Sequence, residues 1–133
     1  MSAFCFIDRV SELKPNESVT AIFYLKGDEE FLLDHFEGFP VMPGVLQLEM
    51  LKQAAFKLLE SPGEPKKNYA MTAAQGIKFG QFIRPKDTLK ATVRLIKNQN
   101  HQSSFEGRLD LIDSVSGDFK GKAVSALFEL AVI

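Results

Sequence analysis

The chain has 133 residues, about a quarter of them charged, and a formal net charge of −1. This length fits one domain with its own hydrophobic core, spanning residues 1–133. The near balance of charge argues against bulk binding to nucleic acid or to a membrane surface. No apolar run approaches the roughly 20 residues that a membrane-spanning helix needs. The single cysteine, Cys5, is expected to be buried, and without a signal sequence we expect a cytoplasmic protein.

In chain order, the first predicted element is a strand over residues 4–10, followed by a turn over 14–18 and a second strand over 19–25. Residues 44–60 have helical periodicity, with apolar side chains on one broad face. The first half of this helix is apolar on nearly every side, which predicts that it is buried. A loop over 61–68, rich in proline, glycine and lysine, ends the helix.

The rest of the chain has the pattern of β-structure. Strands are predicted over residues 69–83, 88–98, 105–113 and 119–133, the first of them bent because glycine interrupts it. Short polar turns between neighbouring strands favour antiparallel pairing. One long buried helix with a curved antiparallel sheet of five or six strands predicts an α+β fold of the hotdog type, in which the sheet wraps around the helix.

The chain has two histidines, and they lie in different surroundings. His101 is in a polar turn, where we expect a solvated side chain. His35 is in a loop rich in proline and glycine, with phenylalanines nearby in the sequence. Taken alone, a histidine in such surroundings is more often a structural residue than a catalytic one. Because histidine titrates near neutral pH, it is also the natural base for a proton transfer.

Glu49 allows two interpretations. It belongs to a polar stripe of the helix that includes Lys52 and Gln53, and such a stripe usually faces solvent. Alternatively, it is a partly buried carboxyl that donates a proton, with Gln53 at i+4 holding its geometry. Gly44 adds a third element, since a helix that starts at Pro43-Gly44 presents free backbone N–H groups. Those groups could stabilise a developing enolate oxygen, or could simply be an ordinary helix start.

The same segment carries a recognisable pattern. It reads His35-Phe36-x-Gly38-x-Pro40-Val41-Met42-Pro43-Gly44-Val45-Leu46, followed by Leu48-Glu49 and Gln53. This pattern resembles the active-site motif of the 3-hydroxyacyl-acyl-carrier-protein dehydratases, the hotdog dehydratases of bacterial type II fatty acid synthesis. The resemblance extends to residues 6–10, to Ile77-Lys78-Phe79 and to Arg84-Pro85-x-Asp87-x-Leu89, and so covers nearly the whole chain.

The resemblance implies a role for each motif residue. His35 would remove the proton at C2 of the acyl chain, and Glu49 would protonate or hydrogen-bond the leaving C3 hydroxyl. Water would depart and leave a trans-2-enoyl thioester. The N–H of Gly44 would polarise the thioester carbonyl, and the carbonyl of Val41 would orient the His35 ring.

The resemblance also implies partners. In the family, the histidine and the carboxylate of one site come from different subunits, which implies a homodimer, or a hexamer built as a trimer of dimers. The substrate would arrive on the phosphopantetheine arm of an acidic acyl carrier protein, and no metal or redox cofactor is required. The expected tunnel residues are Phe39, Met42, Leu46 and Phe79. The expected carrier-docking residues are Lys78, Arg84 and Lys86, although any charged strand end would look the same.

Two positions depart from the commonest form of the motif. Asp34 stands where a small residue is usual, and Glu37 stands where the glutamate-bearing branch usually has proline. Neither change removes a catalytic group, but both leave the substrate range open. Two other functions also stay open: a hotdog thioesterase, which would use a carboxylate to activate water, and a non-catalytic hotdog subunit that binds acyl chains.

Overall fold

The computed structural model describes residues 5–28, 41–60, 68–99 and 101–133. These residues form β1 (Arg9–Lys14), β2 (Ser18–Tyr24), α1 (Gly44–Leu59), β3 (Tyr69–Phe79), β4 (Thr88–Gln99), β5 (Gln102–Ile112) and β6 (Phe119–Val132). The six strands make one antiparallel sheet in the order β1-β2-β4-β5-β6-β3. The predicted α+β class, the single long helix and the antiparallel pairing are confirmed for the described chain.

The hydrophobic core lies between α1 and the inner face of the sheet. Alternation along the central strands places every second side chain on that face, as the sequence predicts for β4. The helix contributes Met50, Leu51, Ala54 and Ala55, none of which is exposed to solvent. The strands contribute Val19, Ala21, Leu89, Ala91, Val93, Phe105, Leu109 and Phe128. This packing fixes the helix against the middle of the sheet, so that the two ends of the helix have defined positions.

Gly107 of β5 lies against side chains of α1 and β6. A Cβ atom added at this glycine would lie 3.0 Å from Cε1 of Phe128 and 3.2 Å from Cδ2 of Leu51. We therefore expect Gly107→Val to lower the free energy of unfolding by about 1–3 kcal/mol, the usual cost of overpacking a core. Urea unfolding measures this change. The control is Glu106→Val on the outer face, expected to change stability by no more than about 0.5 kcal/mol.

Two predictions for the N-terminal part are wrong. The first strand is Arg9–Lys14, whereas a strand was expected over residues 4–10. All six residues of β1 are exposed, so the alternation that would have marked the strand is missing from the sequence. Cys5 is exposed instead of buried, because it precedes the strand and lies at the surface, where its thiol contacts the carbonyl oxygen of Ile7 at 3.5 Å.

The third strand is shorter than the predicted segment of residues 69–83. β3 ends at Phe79, and the following N–H groups of Gly80 and Gln81 still donate to carbonyls of Ala123 and Lys122. The expected bend is present as a bulge: the register with β6 shifts between Gln75 and Lys78, and Gly76 has φ +61°. Glycine adopts that backbone conformation without strain. Among the described residues, no helix is long and apolar enough to cross a membrane.

Candidate active site

The N-terminus of α1 is held at the sheet by backbone hydrogen bonds. The N–H of Met42 donates to the carbonyl of Ile83 at 2.8 Å, which ties the segment before the helix to the connection after β3. Pro43 precedes the helix with φ −59° and carries no N–H, and the first intrahelical donors are Leu46 and Gln47, both bonded to the Pro43 carbonyl. The N–H of Gly44 therefore has no acceptor within the helix and is available to a ligand.

Phe79 covers the start of the helix. A Cβ atom on Gly44 would lie 2.7 Å from Cζ of Phe79, so the ring rests on the glycine backbone. The surface here is apolar, since Val45 is 72% exposed and Phe79 57% exposed. Ile77 and Phe82, which lie close to Phe79 in the chain, are exposed as well. A glycine at position 44 is what allows the ring to approach so closely. A hydrogen-bond donor beside an exposed apolar surface suits a thioester with a hydrocarbon chain.

Glu49 lies on the next part of the helix, with its side chain 20% exposed. Its Oε2 atom accepts a hydrogen bond of 3.1 Å from Nε2 of Gln53. Oε1 of Gln53 accepts from the N–H of Phe6 at 2.8 Å, and because that N–H can only donate, the orientation of the Gln53 amide is fixed. The structure thus brings Glu49 and Gln53 together in the way that their i, i+4 spacing suggested.

The structure shows features of both interpretations of Glu49. A polar stripe does run along the helix, with Lys52 Nζ 3.6 Å from Glu49 Oε1 and Lys57 Nζ 3.9 Å from Glu60 Oε1. The second pair faces solvent, with side chains 41% and 49% exposed, while Glu49 is mostly withdrawn from it. Glu49 and Lys52 are therefore the less exposed end of a stripe whose other end, at Lys57 and Glu60, is solvated.

The predicted tunnel residues do not share one environment. Phe79 is exposed, Leu46 is partly buried against the core, and Met42 is 2% exposed within the core itself. Val41, expected to orient the histidine ring through its carbonyl, is also buried. His35 and Phe39 lie outside the described residues, as do Asp34 and Glu37. The structure describes the helix side of the candidate site and leaves the histidine as a prediction from the sequence.

The three predicted docking residues are all exposed. Arg84 and Lys86 belong to one turn, in which the N–H of Arg84 donates to Oδ2 of Asp87 at 2.7 Å and the N–H of Asp87 donates to the Arg84 carbonyl. Lys86 has φ +74°, a conformation that usually belongs to glycine at this turn position. Lys78 is on β3, opposite Ser125 of β6. Two of the cations thus share a rigid turn, and the third is on the edge strand.

Sequence reasoning missed Gln47. This side chain is 5% exposed, and its Nε2 donates to the carbonyl of Met42 at 3.1 Å. Its Oε1 atom is buried without a hydrogen-bond partner in the described part of the chain. The sequence did offer a sign of this role: Gln47 is a polar residue among the apolar residues of the first helical turn. Gln47 holds the segment that leads into the helix N-terminus.

Comparison with known proteins identifies the family of this chain. The model of the ApeI-like family, described as ApeI dehydratase, matches residues 11–117. The 3-hydroxyacyl-[acyl-carrier-protein] dehydratase FabZ of Pediococcus pentosaceus is 42% identical over 102 residues, which cover 76% of this chain and 68% of the relative. The chain belongs to the 3-hydroxyacyl-acyl-carrier-protein dehydratase family. The predicted resemblance is confirmed, and with it the class of hydro-lyases.

Solved structures give the fold of this dehydratase. The dehydratase heterocomplex ApeI:P from Xenorhabdus doucetiae aligns with a TM-score of 0.65 at 22% identity, covering 90% of this chain and 92% of that one. The fluoroacetyl-CoA-specific thioesterase FlK aligns with a TM-score of 0.65 at 17% identity, covering 92% and 90%. The hotdog prediction is confirmed. At these identities the thioesterase shares the fold alone, and the relatives above 30% identity do not favour the thioesterase alternative.

Proposed function

We propose that the protein removes water from (R)-3-hydroxyacyl groups carried on acyl carrier protein, giving trans-2-enoyl thioesters for fatty acid or related lipid synthesis in the cytoplasm. The observation that carries this proposal is the half-buried Glu49 carboxyl, oriented by Gln53, on a helix whose N-terminal N–H at Gly44 is available to a ligand. Family membership supplies the reaction class, and this arrangement supplies two of the three groups that the reaction needs.

The chemistry divides between acid, base and hydrogen-bond donor. His35 takes the C2 proton, and the electron pair moves toward the thioester carbonyl, whose oxygen receives the N–H of Gly44. The C2–C3 double bond forms as the C3–O bond breaks, and Glu49 gives its proton to the departing hydroxyl, which leaves as water. The Val41 carbonyl orients the His35 ring. Proton transfer from His35 back to Glu49, through solvent, completes the cycle without a metal or redox cofactor.

The difference between the two edges of the sheet supports a homodimer with shared sites. The β1 edge carries the charges Arg9, Glu12 and Lys14 and a register shift, features that discourage pairing with another strand. The β3 edge is exposed from Gln75 to Phe79 and is mostly uncharged. Pairing of two β3 edges would place a second subunit beside Phe79 and the N-terminus of α1, where a partner's histidine could complete the site. Three such dimers would make the hexamer.

Recognition of the carrier protein adds to the substrate specificity of the enzyme. Acyl carrier proteins are acidic, and Lys78, Arg84 and Lys86 give exposed positive charge near the connection that follows β3. The hydrogen bonds between Arg84 and Asp87 restrain the turn that would receive the carrier, which lowers the entropic cost of binding. The substrate reaches the site on the phosphopantetheine arm, so the protein itself needs no prosthetic group.

The test is hydration of a crotonyl thioester, followed by loss of the enoyl absorbance. We expect hydration of crotonyl-acyl carrier protein, with a higher kcat/KM than for crotonyl-coenzyme A because only the carrier offers acidic contacts. Release of free thiol without hydration would identify a thioesterase, and absence of both reactions would favour a non-catalytic subunit. Sedimentation of the purified chain measures its oligomeric state, which we expect to be a dimer or a hexamer. A monomer that becomes active only with a second protein would contradict the proposed homodimer.

A further inference from the structure

Lys52 is placed beside the proposed acid but has no part in the mechanism described above. Its Nζ atom lies 3.6 Å from Oε1 of Glu49 and 5.6 Å from the centre of the Phe56 ring. The side chain is 20% exposed, as little as that of Glu49 itself. A lysine on a helix surface normally extends into water, so this withdrawn position needs an explanation.

The same helix offers a comparison. Lys57 and Glu60 have the same i, i+3 spacing as Glu49 and Lys52, with the order of charges reversed, but their side chains are 41% and 49% exposed. An ion pair of that kind is screened by solvent and contributes little. Lys52 differs because solvent is largely excluded around it and an aromatic ring lies on its other side. The Glu49–Lys52 pair is the more constrained of the two.

The aromatic ring that accompanies Lys52 is itself held by the sheet. The Phe56 ring lies 5.4 Å from that of Tyr69, centre to centre, at an interplanar angle of 45°. Tyr69 is the first residue of β3. A cation is attracted to the face of such a ring, so the ring limits where the ammonium group can go. A chain of contacts thus runs from β3 through Phe56 to Lys52 and then to the carboxylate of Glu49.

We infer that Lys52 is a positioning residue for Glu49. Lys52 lies against Oε1 while Gln53 donates to Oε2, so both oxygens of the carboxyl group are restrained and its rotation is limited. This inference rests on the proposed role of Glu49, which in the hydration direction begins as a carboxylate and takes a proton from the attacking water. Restraining this carboxylate matters because small displacements of a reacting group lower the rate strongly.

The experiment compares Lys52→Met with the matched control Lys57→Met. Methionine matches the unbranched aliphatic part of lysine and removes the charged amine. In crotonyl-acyl carrier protein hydration, we expect kcat of Lys52→Met to fall about 10-fold with KM changed by less than about twofold, because positioning acts on the chemical step. Lys57→Met should keep the wild-type kcat. Lys52→Arg should recover most of the lost rate, since it returns a cation to the same place.

Further variants separate this inference from the proposed function. Retained activity in Glu49→Gln would overturn the role of Glu49 and the inference with it. Loss of activity in Glu49→Gln together with a wild-type or higher kcat in Lys52→Met would overturn the inference alone. In the Glu49→Gln background, Lys52→Met should cause no further loss. Thermal unfolding of Lys52→Met should shift by no more than about 2 °C, which excludes a general loss of folded protein as the cause.

Discussion

Replacing His35 with alanine is expected to lower the rate of crotonyl-thioester hydration by about two to four orders of magnitude, the usual scale for losing an acid–base group. The reaction requires removal or delivery of a proton at C2, and in the proposed mechanism His35 alone does this. The KM for the thioester should change much less than kcat, because alanine removes no group that binds the carrier protein or its phosphopantetheine arm.

The matched control is His101→Ala, which removes the other histidine of the chain. His101 is exposed in the turn between β4 and β5, and its backbone carbonyl accepts a hydrogen bond from the N–H of Val132 at 2.9 Å. Its side chain should be dispensable, so activity should stay at the wild-type level. Wild-type activity in His35→Ala would remove the base from the mechanism.

The second large effect is expected for Glu49→Gln. Glutamine has nearly the same shape and can still accept the hydrogen bond from Gln53, but it cannot give a proton to the leaving hydroxyl. We expect hydration to fall by about two to four orders of magnitude, with thermal stability little changed. Initial rates at saturating crotonyl-acyl carrier protein measure the loss. A variant that keeps more than about a tenth of the activity would show that Glu49 is not the acid.

Mixing the two inactive variants tests whether sites are shared between subunits. If each site takes its histidine from one chain and its glutamate from the other, a mixed dimer of His35→Ala and Glu49→Gln contains one intact site. Random reassociation of equal amounts should then restore about a quarter of the wild-type activity, because half of the dimers are mixed and each has one working site of two. If each chain forms its own site, mixing restores nothing.

Much of the fold follows from patterns visible in the sequence. The alternation of Leu89, Ala91 and Val93 predicted β4, because one face of that strand is buried and the other is not. The helix was predicted from its apolar periodicity to within one residue at its end. β1 was misplaced because it lies at the sheet edge with every side chain exposed. The hydrophobic pattern of a sequence cannot reveal a strand that buries none of its side chains.

The candidate site was predictable in part. The i, i+4 spacing of Glu49 and Gln53 and the helix start at Gly44 follow directly from helix geometry. Lys52 was interpreted as part of a solvated stripe, because spacing gives the face of a helix but not what covers it. Phe6, whose N–H fixes the Gln53 amide, is 47 positions away in the chain, and only tertiary structure brings the two together. The buried amide of Gln47 depends on packing in the same way.

The contact between Phe79 and Gly44 links the proposed subunit interface to the proposed hydrogen-bond donor of the site. The ring belongs to the last residue of the sheet edge proposed for subunit pairing, and it rests on the backbone whose N–H would hold the thioester oxygen. A displacement of that edge would reach the hydrogen-bond donor through one aromatic ring. The partner proposed for this edge would then bear on catalysis in two ways: it would supply the histidine, and pairing at β3 would hold Phe79 against the Gly44 donor.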